Sequence, residues 1–150
     1  MKKAGIFLTT LALFLFFANI NGAENEGEKL KTKFKEYFSE MSVEVKNAET
    51  PEAKREIISS SLTKMINALD KAESIAARTD EDRAFIAGLI SGAEEKLNEL
   101  NGLDGYQKVQ DQNLNDFADY VQQDIEQADK YITISLTTLL LVAIIILLLA

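Results

Sequence analysis

Apolar positions recur along the middle of the chain at steps of three and four. Leu30, Phe34, Tyr37, Met41 and Val45 form one stripe, the signature of an amphipathic helix. Thr50 and Pro51 end it and serve as the N-cap and first position of a second helix, with Glu52 well placed against the helix dipole. A seven-residue frame then runs through Ile58, Met65, Ala72, Thr79, Ile86, Ala93 and Leu100, with Leu62, Leu69, Ala76, Arg83, Ile90 and Leu97 in a second position. Only Thr79 and Arg83 interrupt it. They flank Asp80, Glu81 and Asp82, and a threonine followed by acids is how a helix begins, so a break near Thr79 is predicted. One continuous helix of about fifty residues is the competing reading, because the preserved frame is what a coiled coil would show. Asn101, Gly102, Asp104 and Gly105 predict a turn. Leu114, Phe117, Val121, Ile125, Ala128 and Ile132 form the last stripe.

Between Glu28 and Ala87 there is no glycine and a single proline, so little in the middle would end a strand. The expected fold is all-α: an up-down bundle of four helices, or of three with one long coiled-coil helix, continuing into a C-terminal transmembrane helix.

The two ends are apolar in different ways. Lys2 and Lys3 precede an uncharged run from Ala4 to Ile20, followed by Asn21, Gly22 and Ala23. A charged start, an apolar core and a small-residue exit describe a signal peptide over residues 1–23, with cleavage after Ala23 or retention as an uncleaved anchor. Residues 131–150 carry no charge, and the last twelve are all Leu, Val, Ile or Ala. At about 1.5 Å per residue this segment matches the hydrocarbon thickness of a bilayer. No glycine or proline separates the last stripe from it, so a single helix from Asp111 to Ala150, about 60 Å long, is expected to enter the membrane as a rigid stalk.

Residues 24–130 would then be the water-exposed domain, on the exported side. They hold all 24 carboxylates and 14 of the 16 lysines and arginines, a surface too acidic for a nucleic-acid partner. The absence of Cys and His removes thiolate and imidazole chemistry, ordinary zinc sites and disulfides. Leu, Ile, Val and Phe supply only 23 of these residues, close to the lower limit for a self-sufficient core, which makes self-association an expectation.

Four groups of residues are candidate sites. Asp111, Asn113 and Asn115 stand at alternate positions like the opening of a calcium loop, but Asp116 replaces the turn glycine and Gln122 the bidentate glutamate. Glu94, Glu95 and Glu99, with Asp80 to Asp82, offer oxygen ligands for a divalent cation, yet fall off the apolar stripes as a solvated face would. Gly88 and Gly92 lie four apart on one helix face and suggest a close-packing notch, within the bundle or between chains. Lys29, Lys31, Lys33 and Lys35 suggest contact with anionic headgroups, or ion pairing with Glu28 and Glu36. In an up-down bundle they would lie alongside Asp119, Asp124, Glu126 and Asp129.

No cofactor, catalytic residue or small-molecule substrate is indicated. The expected function is that of an exported single-pass membrane protein: a non-enzymatic helical scaffold, accessory subunit or oligomerising anchor in the cell envelope, contacting lipid through residues 131–150 and a protein partner or a second copy through its helices. The alternative is a helical protein that binds divalent cations through carboxylates, or a lipid surface.

Overall fold

A computed structural model describes residues 23–77, 79–128, 145, 148 and 149. Among these are four α-helices, a 3-10 turn and no strand. The helices are α1 (Ala23–Asn47), α2 (Pro51–Ala76), α3 (Asp80–Asn101) and α4 (Leu114–Ala128), the last preceded by the turn Asp111–Asn113.

Each boundary has a local cause. The Thr50 side chain accepts from the Ala53 backbone N–H, and Pro51 follows where a missing N–H costs nothing. α3 starts with a reciprocal capping box, the Thr79 hydroxyl accepting from Asp82 N–H and the Asp82 carboxylate from Thr79 N–H, each at 3.1 Å. The break at Thr79 is therefore present, and the fifty-residue continuous helix is not. Gly102 closes α3 in the left-handed region, where the Leu103 N–H reaches back to Asn98 O at 2.9 Å. Asp104 and Gly105, both at positive φ, then form a tight turn closed by Tyr106 N–H on Leu103 O.

Pairs across the helices give the topology. Tyr37 reaches Ser61, Arg55 reaches Leu100, Lys96 reaches Tyr120, and Lys46 reaches Asp119. Each pair is symmetric about its connecting segment, so successive helices run antiparallel and α4 returns beside α1, the up-down bundle expected. The core holds Phe34, Phe38, Met41 and Val45 of α1, Ile58, Leu62, Met65, Leu69 and Ala72 of α2, Ile86, Leu89, Ala93 and Leu100 of α3, and Leu114, Phe117, Ala118 and Val121 of α4.

Two stripes differ from expectation. On α1, Phe38 is as buried as Phe34, while Tyr37 is only half-buried and donates its hydroxyl to Ser61 O. On α3 the second buried line is Leu89 and Lys96, with Ile90 and Leu97 half-buried beside it. α2 buries the positions four after its main line, and α3 those three after. A helix broken at Thr79 can rotate its second half to face α4, which a continuous coil could not do.

Residues 1–22 of the expected signal segment 1–23 lie outside the described residues, Ala23 being the first residue of α1, and so does the apolar tail apart from Ile145, Leu148 and Leu149. No helix among the described residues is long and apolar enough to cross a membrane. The three tail residues are helical; Ile145 and Leu149 are buried with the core, and Lys64 Nζ donates to Leu149 O at 3.4 Å. A straight continuation of α4 would carry position 149 about 30 Å beyond the end of the bundle. The expectation of a rigid stalk is corrected on this point: Leu148 and Leu149 lie against the middle of α2.

Candidate interaction surfaces

Three polar knots tie the helices, and each uses residues that pattern alone left as surface. The first is Lys96, of which only 2% is exposed. Its ammonium donates to the Tyr120 hydroxyl at 2.7 Å and to Glu99 at 3.2 Å, pairs with Asp124 at 3.3 Å, and lies 4.4 Å from the centre of the Tyr120 ring. Burial alone would push its pKa down. The Tyr120 and Glu99 hydrogen bonds and the charges of Asp124 and Glu99 outweigh that and raise it above the ordinary lysine range, so the site holds a permanent cation. Asp124 is thus engaged by a lysine of α3.

The second knot joins α1 to α4. Lys46 Nζ donates to Asp119 Oδ1 at 2.8 Å, and the buried Ser42 hydroxyl donates to the same oxygen. The expected partnership of Asp119 with Lys29 to Lys35 is therefore corrected: its partners sit two to three turns further along α1. Those two bonds, Lys46 first, hold the Asp119 carboxyl below the usual range, with burial a weaker opposing influence. A depressed carboxyl stabilises the fold above its unfolded pKa of about 3.9 and loses that contribution as pH falls through the lower, folded value. Asp119→Asn should accordingly flatten the acid limb of a pH-stability curve followed by circular dichroism, its loss of no more than about 1 kcal/mol, small because the pair is partly exposed, falling near neutrality and fading in acid.

The third knot is Arg55. Its guanidinium donates to Leu100 O at 2.6 Å, to Val109 O at 2.8 Å and to Asp111 Oδ1 at 2.9 Å. One side chain of α2 thereby satisfies an orphan carbonyl in the last turn of α3 and fixes the approach to α4. Arg55→Ala should cost about 2–3 kcal/mol in urea denaturation, with Arg55→Lys recovering less than half, since an ammonium cannot span the three acceptors.

The residues singled out from sequence fall as follows. Lys33 pairs with Glu36 at 2.7 Å on an open face and Lys35 is exposed; the side chains of Lys29 and Lys31 lie outside the described set. Gly88 is exposed and Gly92 half-buried, and a Cβ built on either would meet nothing within 4 Å. Open space thus lies over both positions, one exposed and one half-buried. Asp111 accepts from Arg55 and Asn115 from Lys54, so two members of the calcium-like series serve helix packing. Glu95 accepts from Tyr106 and Glu99 from Lys96. Among the described residues no group of three or more acids is placed to hold a metal ion.

One surface was not anticipated. Along the outer side of α2 runs an open groove of about 540 Å³ lined by Glu56, Ser59, Ser60, Thr63, Lys64, Asn67, Ala68 and Lys71, with Leu148 as its apolar wall. Its floor is built of short side chains, and Ala68 within it is only 3% exposed. The run Ser59 to Ser61 was visible in the sequence without a role. A second groove of about 520 Å³, lined by residues such as Lys108, Asp116, Phe117 and Tyr120, lies where the 102–110 segment passes α4. Exposed apolar side chains are scattered: Val43, Leu103, Tyr106 and Tyr120. Set beside known proteins, the chain matches no protein family, no characterised protein and no solved structure.

Proposed function

We propose that this chain is an exported, single-pass membrane protein whose acidic helical bundle acts by contact, as a scaffold, accessory subunit or oligomerising anchor in the cell envelope. The observation that carries the reading is the arrangement of charge along the chain: two lysines, an apolar run, an acidic domain, then twenty uncharged residues from Tyr131 to Ala150. Residues 101–130 hold only Lys108 and Lys130 as cations, and a flank so poor in lysine and arginine suits the outer side of a membrane. The first segment would carry the bundle across; the last would retain it.

The bundle supports contact over chemistry. Lys96, Arg55, Ser42 and Asp119 are all committed to holding helices together, and the α2 groove is open and shallow. Gly88 and Gly92 place no Cβ at two positions four apart on α3, and open space lies over both, so another helix can come close there. In the membrane, tethering raises the local concentration of such faces, so weak helix contacts suffice for association.

Crosslinking of the intact chain in native membranes tests this reading. A discrete adduct is expected, either a homo-oligomer or one reproducible partner, and placing leucine bulk on the α3 face through Gly88→Leu and Gly92→Leu should remove it while helicity is kept. A chain that stays monomeric and without partner in the membrane contradicts the proposal.

A further inference from the structure

The chain's own apolar end occupies a place that nothing in a four-helix bundle requires. Ile145 and Leu149 are buried among core residues, Leu148 walls the α2 groove, and Lys64 Nζ donates to Leu149 O. Lys64 also stands 5.8 Å from the centre of the Tyr37 ring, whose hydroxyl is bonded to Ser61 O, so this point lies at the junction of α1 and α2. α2 is prepared for such a guest. Its inward line is Ile58, Leu62, Met65, Leu69 and Ala72, yet Ala68, one position to the side, is also buried, and the neighbours Ser59, Ser60, Ser61 and Thr63 are short. Short side chains let an apolar segment approach closely, while Lys64, Asn67 and Lys71 keep the rest of the face wettable when it is uncovered.

We infer that the outer face of α2 is an intramolecular seat for the chain's C-terminal apolar segment, which it holds in the absence of a bilayer and yields to lipid when one is present. The inference rests on the membrane reading only for the second half of that exchange. Lipid can surround the whole of a Leu- and Ile-rich run, so transfer to the bilayer runs downhill once a membrane is reached. Until then the seat shields a run of Leu and Ile that would otherwise associate between chains. The occupant is assigned to the same chain because its final residues are seated there, with a backbone carbonyl within reach of a lysine.

The experiment uses the full chain made by cell-free translation, with Leu148 replaced by the photocrosslinker p-benzoylphenylalanine, without and with liposomes of phosphatidylcholine and phosphatidylglycerol. Without liposomes, irradiation should join position 148 to the α2 peptides spanning residues 56–71. A mixture of isotopically heavy and light chains should give no mixed products. With liposomes the adduct should move to lipid. Ala68→Arg, which fills the seat with a charged side chain, should lower the α2 adduct about tenfold with helicity retained. No adduct to α2 without liposomes, or adducts only between heavy and light chains, overturns the seat while leaving the membrane reading standing if the chain still floats with liposomes. An adduct to α2 that persists unchanged with liposomes, in a chain that does not float, overturns the exchange and the membrane reading but not the docked contact.

Discussion

Replacing Lys96 by glutamate should remove a large part of the bundle's stability at neutral pH. The ammonium sits among acceptors: the Glu99 and Asp124 carboxylates and the Tyr120 hydroxyl converge on a position that water scarcely reaches. Glutamate there would set three carboxylates within a few ångströms, and an uncompensated buried charge costs about 3–5 kcal/mol. For a domain of this size that is a large part of the total, typically about 5–15 kcal/mol. Lys96→Met should cost much less, because Glu99 and Asp124 retain access to solvent and methionine keeps most of the stem's volume. Urea denaturation followed by circular dichroism separates the two. Equal losses for Glu and Met would mean that packing of the stem, not the charge, is what Lys96 provides. The pH sign follows from the raised pKa: the ammonium's contribution is complete below the unfolded lysine value and is lost only as pH rises through the higher folded one.

The second large effect lies at Gly102. Its φ is +69°, and a Cβ added there would stand 2.8 Å from both the backbone nitrogen and the Cβ of Lys108. The obstacle includes backbone, so it cannot swing aside as a side-chain tip would. The left-handed conformation alone costs a residue with a Cβ about 1–2 kcal/mol, more when it is β-branched, and the overlap adds to that. Gly102→Val should therefore destabilise by about 3 kcal/mol and Gly102→Ala by somewhat less. Gly105 gives the control. Its φ is +86°, but nothing lies within 4 Å of a Cβ built there, so Gly105→Ala should show the conformational cost without the collision. Thermal melts of the three variants measure both parts.

The helices themselves were legible because their signals are local. Thr50 and Pro51, Thr79 with Asp82, and Gly102 each act through bonds within four residues, and sequence spacing reports such bonds directly. The core was legible wherever it was apolar. It became obscure where a buried position is filled by a polar residue: Lys96 hid the line Leu89 to Lys96, so the half-buried Ile90 and Leu97 looked like the inward face. Ser42 is buried for the same kind of reason, as donor to Asp119, and nothing in α1 announces the partner 77 residues away. Arg55 binds two backbone carbonyls, which have no sequence identity to find. Charge-block matching between α1 and α4 missed the described partners of two acids, because it pairs nearest blocks, whereas Asp119 is reached by Lys46 and Asp124 by Lys96; the side chains of Lys29, Lys31, Glu126 and Asp129 lie outside the described set. The α2 groove was beyond pattern altogether. Its floor is polar and small, and its occupant comes from a segment whose composition points to lipid.

The membrane claim is tested most directly by alkaline carbonate extraction of membranes that carry the intact chain. The account predicts that the full-length polypeptide remains in the membrane pellet, and that deleting residues 131–150 moves it to the supernatant. Release of the intact chain by carbonate would contradict it.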